Sequence, residues 1–311
     1  MRLSTSPDIS RWRSDIVAFA DECLGVVMWP RLEEYLRAIQ AHDRIAVKAG
    51  RKVSKTLGDA VAALWWPVAY PDGKVVITSS GNQNIAMVVW PQIRALATKH
   101  IAQDWHPRRG ETFPKIDFPK VPKMPHIGIQ WDDGRSVVAY STDDPEKAAG
   151  VSGAHLLYIL DEASGIEGHI FDTIRGNVAA GGKILLTSNP TRPGGFFYEA
   201  FNKHEGRFEI DEDGTERRVS GVWRTLSISS TESPNYVAGS VVIPGLATRE
   251  WVEEMAEDWG EGTPLYSVHV EGRFPPQASD CVIPLHVVNA AIDRYKKQCH
   301  YFDPKRNQHD C

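Results

Sequence analysis

The sequence predicts an α/β protein in which a mostly parallel sheet carries helices on both faces and a smaller subdomain follows. Three observations lead there. Short, almost wholly apolar runs recur at "RIAVKA", "KVVITSS", "SVVAYST", "LLYILDE" and "KILLTSN", as strands buried on both faces do. Stretches with apolar residues at helical spacing separate the runs, and strands alternating with helices make parallel crossovers. After residue 205 the character changes, and charged stretches with turn signals replace that alternation.

Each element follows from local pattern. From Trp12 to Gln40 the apolar residues keep helical spacing, interrupted around "MWPR", which predicts two helices. Arg44 to Ala49 reads as a strand, and about Lys55 to Tyr70 as a helix stopped by "YPDG". Lys74 to Ser80 is the next strand, and about Asn82 to His100 the next helix. Residues 103–127, rich in Pro, Lys and Arg, read as an irregular surface loop. Beyond them come the other three apolar strands, a helix at Glu167 to Asn177 and another in "GGFFYEAFNKH". "GRFEIDEDGTERRVSGVWRTLSI" reads as a hairpin around Asp213-Gly214, and "TREWVEEMAEDWG" as an amphipathic helix capped by Thr248 and stopped by Gly260. The expected division is a helical segment at 1–43, a core at 44–205, a lid or linker subdomain at 206–275 and a connector at 276–311.

Composition narrows the function classes. With 311 residues, 42% hydrophobic and 24% charged, the chain can bury a large core and is not a disordered tail. No stretch approaches the roughly 18 apolar residues of a membrane span, because the richest run, "AVAALWWPVAY", is short and carries Pro67. The start lacks an apolar secretory core, so a soluble intracellular protein without a membrane partner is expected. Cys23, Cys281, Cys299 and Cys311 show no C-x-x-C spacing, which points to reduced thiols rather than a disulfide framework or a zinc knuckle. A net charge of −5 argues against coating nucleic acid by charge alone but leaves room for a local basic face.

The chemistry concentrates at three strand ends, where open α/β sheets bind ligands. "AVKAGRKVSKT" follows the first strand and precedes a helix, the context of a phosphate-binding loop, or Walker A motif. Such a loop aims backbone N–H groups at phosphates, a lysine neutralises the oxygens, and the next hydroxyl holds magnesium. Ala49 and Ser54 stand where the loop pattern has glycines, while Lys55 and Thr56 are kept. "LLYILDEAS" ends a strand in two acids, one able to serve a metal and the other to polarise water. By itself "DEAS" also fits the first turn of a helix. "KILLTSNP" ends in Ser188 and Asn189, placed to lie beside a terminal phosphate.

Taken with "VVITSSGNQNIAMVVWPQIR", "SSTESPNYV", "IPGLATREWVEEM" and "VEGRFPPQASDCVIPLHVVNAAI", these motifs resemble the large terminase subunit of tailed bacteriophages, the ATPase of the DNA-packaging motor. The resemblance implies a P-loop NTPase fold of the ASCE type with a lid subdomain, and ATP and Mg2+ as cofactors. It implies that Ala49, Gly50, Arg51, Lys52, Val53, Ser54, Lys55 and Thr56 bind ATP. Arg51 would sense the γ-phosphate, Thr56 and Asp161 (Walker B) would hold magnesium, and Glu162 would be the catalytic glutamate. Ser188, Asn189 and Pro190 would couple hydrolysis to movement.

The implied partners are double-stranded DNA held by its backbone, the portal protein, the small terminase subunit and other copies of the chain in a ring, in the cytoplasm of an infected bacterium. Candidates for an arginine acting on a neighbour are Arg94, Arg108, Arg109 and Arg135. The basic loop "HPRRGETFPKIDFPKVPKM", with Trp105, Phe113 and Phe118, could contact DNA or be anchored to the body.

The chain also departs from the family. Leu32 stands where members often carry an adenine-reading glutamine, and Gln40 lies close to the strand. Too few residues follow "IPLHVVNAAIDRY" for the nuclease fold of full-length members, so no nuclease activity is expected from this chain alone. Three other readings stay open on the residues: a nucleotide-gated assembly module that does not hydrolyse, another DNA-directed P-loop enzyme such as a helicase, and a purely structural or DNA-tethering protein with a vestigial site.

Overall fold

Residues 9–102, 128–141, 151–179, 181–211 and 216–275 are described by the structure, a computed structural model, with short pieces at 105–106, 110–112, 116, 118–119, 214, 291 and 294–295. The expected connector at 276–311 therefore lies almost wholly outside the described residues.

Each apolar run forms a strand. In chain order the strands are β1 (Arg44–Ala49), β2 (Lys74–Ser79), β3 (Trp105–His106), β4 (Glu111–Thr112), β5 (Gly128–Gln130), β6 (Ser136–Ser141), β7 (Leu156–Asp161), β8 (Lys183–Ser188), β9 (Arg207–Ile210), β10 (Glu216–Ser220) and β11 (Arg224–Ile228). Seven of them make one sheet in the order β11-β1-β8-β7-β2-β6-β5. Every pairing in it is parallel except that of β5 with β6 at one edge. The short edge strand β5 goes unread in the sequence, because three residues carry no periodicity.

Strands β7 and β8 are buried along their whole length, as continuous apolar runs require. Alternate residues feed two cores. Ile45, Val47, Leu157, Ile159 and Leu185 pack under the N-terminal helices, helix Lys55–Ala69 and the helix ending at Ala102. Ala46, Tyr158, Leu160, Ile184 and Leu186 pack under helices Gly168–Asn177 and Gly195–Asn202 on the other face.

Among the described residues before β1, helices run at Ser10–Ser14, Ile16–Ala18 and Pro30–Ala41. Asp15 caps a turn by accepting from the N–H groups of Val17 and Ala18, at 2.9 and 3.0 Å. Pro30 occupies the first turn of helix Pro30–Ala41, where its missing N–H costs nothing. Asn82–Asn84 leads through a wider turn at Ile85–Val89 into helix Trp90–Ala102.

One boundary needs correction. Strands β9 and β10 form the expected antiparallel hairpin, but β11 leaves it to pair in parallel with β1. The core sheet thus continues past residue 205, and the division expected there cuts through it. The cause is local: Leu226 and Ile228 are buried in the first core, while the hairpin strands are mostly exposed. Helix Arg249–Trp259 forms as predicted, with the Thr248 hydroxyl accepting from Trp251 N–H at 3.2 Å and Gly260 ending it.

The register fixes where the chemistry sits. Lys48 lies opposite Ser188, Thr187 opposite Asp161, and Asp161 opposite Ser79. The carboxyl ends of four neighbouring strands therefore finish in one row.

Candidate nucleotide site

The loop after β1 turns tightly and rests on a floor. Gly50 N–H donates to Ile228 O at 2.9 Å, and Arg51 N–H donates to His269 O at 2.7 Å. The Ser230 hydroxyl donates to Arg51 O at 2.8 Å. A Cβ on Gly50 would stand 2.4 Å from both Ser230 Oγ and Val270 O, so only glycine fits. Gly272, at φ +67°, leaves no room from the other side either, since a Cβ there would meet Gly50 N at 2.7 Å. "SSTESP" and "VHVEGR" are thus the masonry under the loop.

Within the loop, Lys52 and Ser54 adopt left-handed backbone, at φ 59° and 66°. Ser54 stands where the general loop pattern has glycine, and it takes the glycine conformation. A non-glycine residue there costs about 1–2 kcal/mol. The third non-glycine residue of this kind among the described residues is Glu162, at φ 53°. All three flank one cavity.

That cavity holds about 610 Å³ and is lined by residues 51–57, Glu162, Asn189, the turn Leu24–Val27, Gln92 and Leu96, and residues 243–246. A larger groove of about 1020 Å³ opens beside Lys48, Arg273 and Phe274, but it touches neither residues 49–56 nor the acid pair. The smaller cavity, lined by the loop and Glu162, is the candidate site.

Lys55 is partly buried and donates to Gly50 O at 2.9 Å. Burial pushes its pKa down, against the pull of Glu162, Asp161 and Asp59. Thr56 follows it into the cavity. Arg51 is exposed, and its guanidinium lies 5.8 Å from the centre of the Trp259 ring. Ala49 and Val53 are buried and shape the loop from beneath.

The acids meet the third strand end directly. Ser188 Oγ donates to Glu162 Oε2 at 3.2 Å, and Asn189 Nδ2 donates to Ala49 O at 2.6 Å. Pro190 is buried behind them. Asp161 is buried and accepts from Asn84 Nδ2 at 2.7 Å. Burial first, and Glu162 second, push the Asp161 carboxyl above the usual range. The structure thus brings Arg51 to Thr56, Asp161, Glu162, Ser188 and Asn189 together.

Other expectations resolve differently. Leu32 is a core residue, and the Gln40 carboxamide accepts from Ile16 N–H at 2.9 Å and donates to Ser14 O at 2.6 Å. Neither side chain lines the cavity. Arg135 is held by Asp133 and by Pro67 O at 2.6 Å, whereas Arg108 and Arg109 lie outside the described residues. Phe118 is buried, while Phe113 lies outside the described residues and the Trp105 side chain is not described. Cys23 is buried, and burial pushes its thiol pKa far up; the other cysteines lie outside the described residues.

Sequence reasoning missed several contributors. Asn235 is buried and shapes one wall of the cavity: its carboxamide donates to Ile243 O and Leu246 O at 2.8 and 3.1 Å. It also accepts from Val242 and Ile243 N–H, both at 2.8 Å. The wall joins the loop where Ala247 N–H donates to Lys52 O at 3.0 Å. A buried asparagine after Ser-Pro is a signal, but it does not name its partners. Asp59, an acid inside "TLGDAVAALWW", is the other signal passed over.

Among known proteins, no family model matches the chain. A protein described as a probable large subunit of terminase, from Enterobacteria phage P7, is 24% identical over 295 residues, or 93% of this chain and 54% of that protein. The chain thus spans about half the length of this curated relative. The ATPase domain of the large terminase of Thermus phage P74-26 superposes with a TM-score of 0.55 at 17% identity, covering 82% of this chain and 96% of that one. The large terminase of another thermophilic bacteriophage gives 0.55 at 9% identity, covering 80% of this chain and 54% of that one. At such identities the solved structures show a common fold, the P-loop α/β fold that the strand order displays. In its sequence relative and in its fold, the chain is similar to the ATPase portion of the large terminase subunits of tailed bacteriophages, as its motifs led us to expect.

Proposed function

We propose that the chain is a magnesium-dependent ATP hydrolase that drives viral double-stranded DNA through the portal into a procapsid. The observation that carries this is the convergence of Lys55, Glu162 and Asn189 on one cavity, with Ser188 bonded to Glu162 and Asn189 bonded to the start of the loop behind it. The second of the thermophilic phage terminases that share the fold has been solved in complex with ADP, which supports a nucleotide here.

In this reading the backbone of residues 49–56 and the N-terminus of helix Lys55–Ala69 cradle the phosphates. Lys55 leaves Gly50 O to neutralise the β and γ oxygens, and Arg51 leaves Trp259 to add charge at the γ-phosphate. Glu162 orients the attacking water while Ser188 steadies its carboxylate. Asn189, tied to the start of the loop, transmits the change at the phosphate end to β8.

The donors beside the loop fit magnesium, being all oxygen: the Thr56 hydroxyl and the Asp161 carboxylate. No group of three or more His, Cys, Asp or Glu among the described residues could hold a metal by itself. Magnesium is characteristically held by one or two carboxylates together with phosphates and water. When bound it would neutralise charge developing on the phosphates.

DNA held by its backbone, the portal, the small terminase subunit and a ring of copies are the partners of this reading. Its place is the host cytoplasm, and no helix of the described residues is long and apolar enough to cross a membrane. The test is phosphate release from ATP by the purified chain at high concentration or with portal, with and without magnesium. We expect magnesium-dependent turnover that Lys55→Ala abolishes. Turnover unaffected by Lys55→Ala would refute the assignment.

A further inference from the structure

Helix Lys55–Ala69 leaves the loop and enters the core, and its buried residues are apolar except for Asp59. That side chain is fully buried. Its Oδ1 accepts from the Tyr35 hydroxyl, and its Oδ2 from the Thr187 hydroxyl at 2.9 Å. The Thr187 hydroxyl also lies 3.4 Å from Asp161 Oδ1. A buried carboxyl beside another one is costly in an apolar core, and burial followed by the nearby Asp161 pushes the Asp59 carboxyl upward. An alanine or leucine would pack there at no such cost.

What the acid supplies is a fixed partner for Thr187. A threonine hydroxyl has one proton and two lone pairs, so its direction decides what Asp161 meets. With Asp59 pinned by Tyr35 on one oxygen, the hydroxyl is held between the two acids. Asn84 fixes Asp161 from the other side.

We propose that Asp59 is a positioning residue for Asp161, acting through the Thr187 hydroxyl, with Tyr35 fixing its far oxygen. It thereby orients the acid that would receive the magnesium of the bound nucleotide. Helix Pro30–Ala41, the loop helix, β7 and β8 are joined at this one buried point. The inference rests on the nucleotide reading above.

The experiment is binding of a fluorescent, non-hydrolysed ATP analogue, titrated with magnesium. Asp59→Leu fills the volume and removes the partner of Thr187, and Thr187→Val removes the hydroxyl. Each should raise the magnesium concentration for half-saturation about tenfold while leaving metal-free binding of the analogue unchanged. The double variant should be no weaker than either single one, because both act on one link. Thr187→Ser, which keeps the hydroxyl, should match the parent chain.

Unchanged magnesium dependence in Asp59→Leu would overturn the proposal. So would full additivity with Thr187→Val, or a Thr187→Ser variant as weak as the valine one. If Asp59→Leu does not fold, the contrast between Thr187→Val and Thr187→Ser decides the matter. If the parent chain shows no magnesium-enhanced binding at all, the nucleotide reading itself fails.

Discussion

The seven-stranded sheet and the loops at its carboxyl edge obey different rules. In the sheet, β7 and β8 are buried throughout and no described strand residue has a positive φ. In the loops, Lys52, Ser54 and Glu162 hold left-handed backbone without being glycine. Such conformations persist only where the surroundings impose them, and they gather where function is built. The sheet is therefore the source of stability, and part of that stability is spent at its edge.

The largest expected effect lies in the sheet. Leu160 is fully buried in β7, and Leu160→Ala should lower unfolding stability by about 2–5 kcal/mol in denaturant titration. Next comes the floor beneath the loop. Gly50→Ala forces a methyl to within 2.4 Å of Val270 O, backbone that cannot swing aside. It should cost about 1–3 kcal/mol by the same measurement, and it should also abolish nucleotide binding.

The edge should respond in the opposite sense. Ser54→Gly removes left-handed strain worth about 1–2 kcal/mol but loosens the unfolded chain by about 0.4–1 kcal/mol. Stability should stay level or rise by up to about 1 kcal/mol, with turnover no lower than the parent's. A large loss of stability would show that the serine is not strained and that the contrast between sheet and edge is false.

The smallest effect is one of pH. Burial first, then Arg51 and Lys55, push His269 down to about 4. Unfolded, it takes up a proton near the usual value of about 6.5. The unfolded chain therefore binds more protons between these values, and stability falls as pH drops from about 6.5 through 4. His269→Gln should flatten the melting temperature across that window. An unchanged slope would remove His269 as its source.

Legibility follows the same contrast. β1, β2, β6, β7 and β8 were readable because strands buried on both faces must be apolar. Helix Arg249–Trp259 was readable because Thr248 and Gly260 mark its ends. β11 was misplaced because Leu226 and Ile228 look like the end of a hairpin, and only partner choice puts them beside β1. At the site, the loop, the acid pair and the "TSN" strand end could be read because each lies within one segment. The floor of Ser230, Val270 and Gly272, the Asn235 turn and the Asp59–Thr187–Asp161 link each join distant segments, which no local pattern encodes. Leu32 shows the converse: alignment to a family position says nothing once the helix turns that residue into the core.

The claim that this edge is a hydrolytic site is tested most directly by Glu162→Gln, which keeps size and removes the carboxylate. ATP binding and single-turnover phosphate release should be measured on the same sample with magnesium present. We expect binding close to that of the parent chain and phosphate release reduced by at least about a hundredfold. Phosphate release at the parent rate would contradict the assignment of Glu162 and, with it, the catalytic reading of the site.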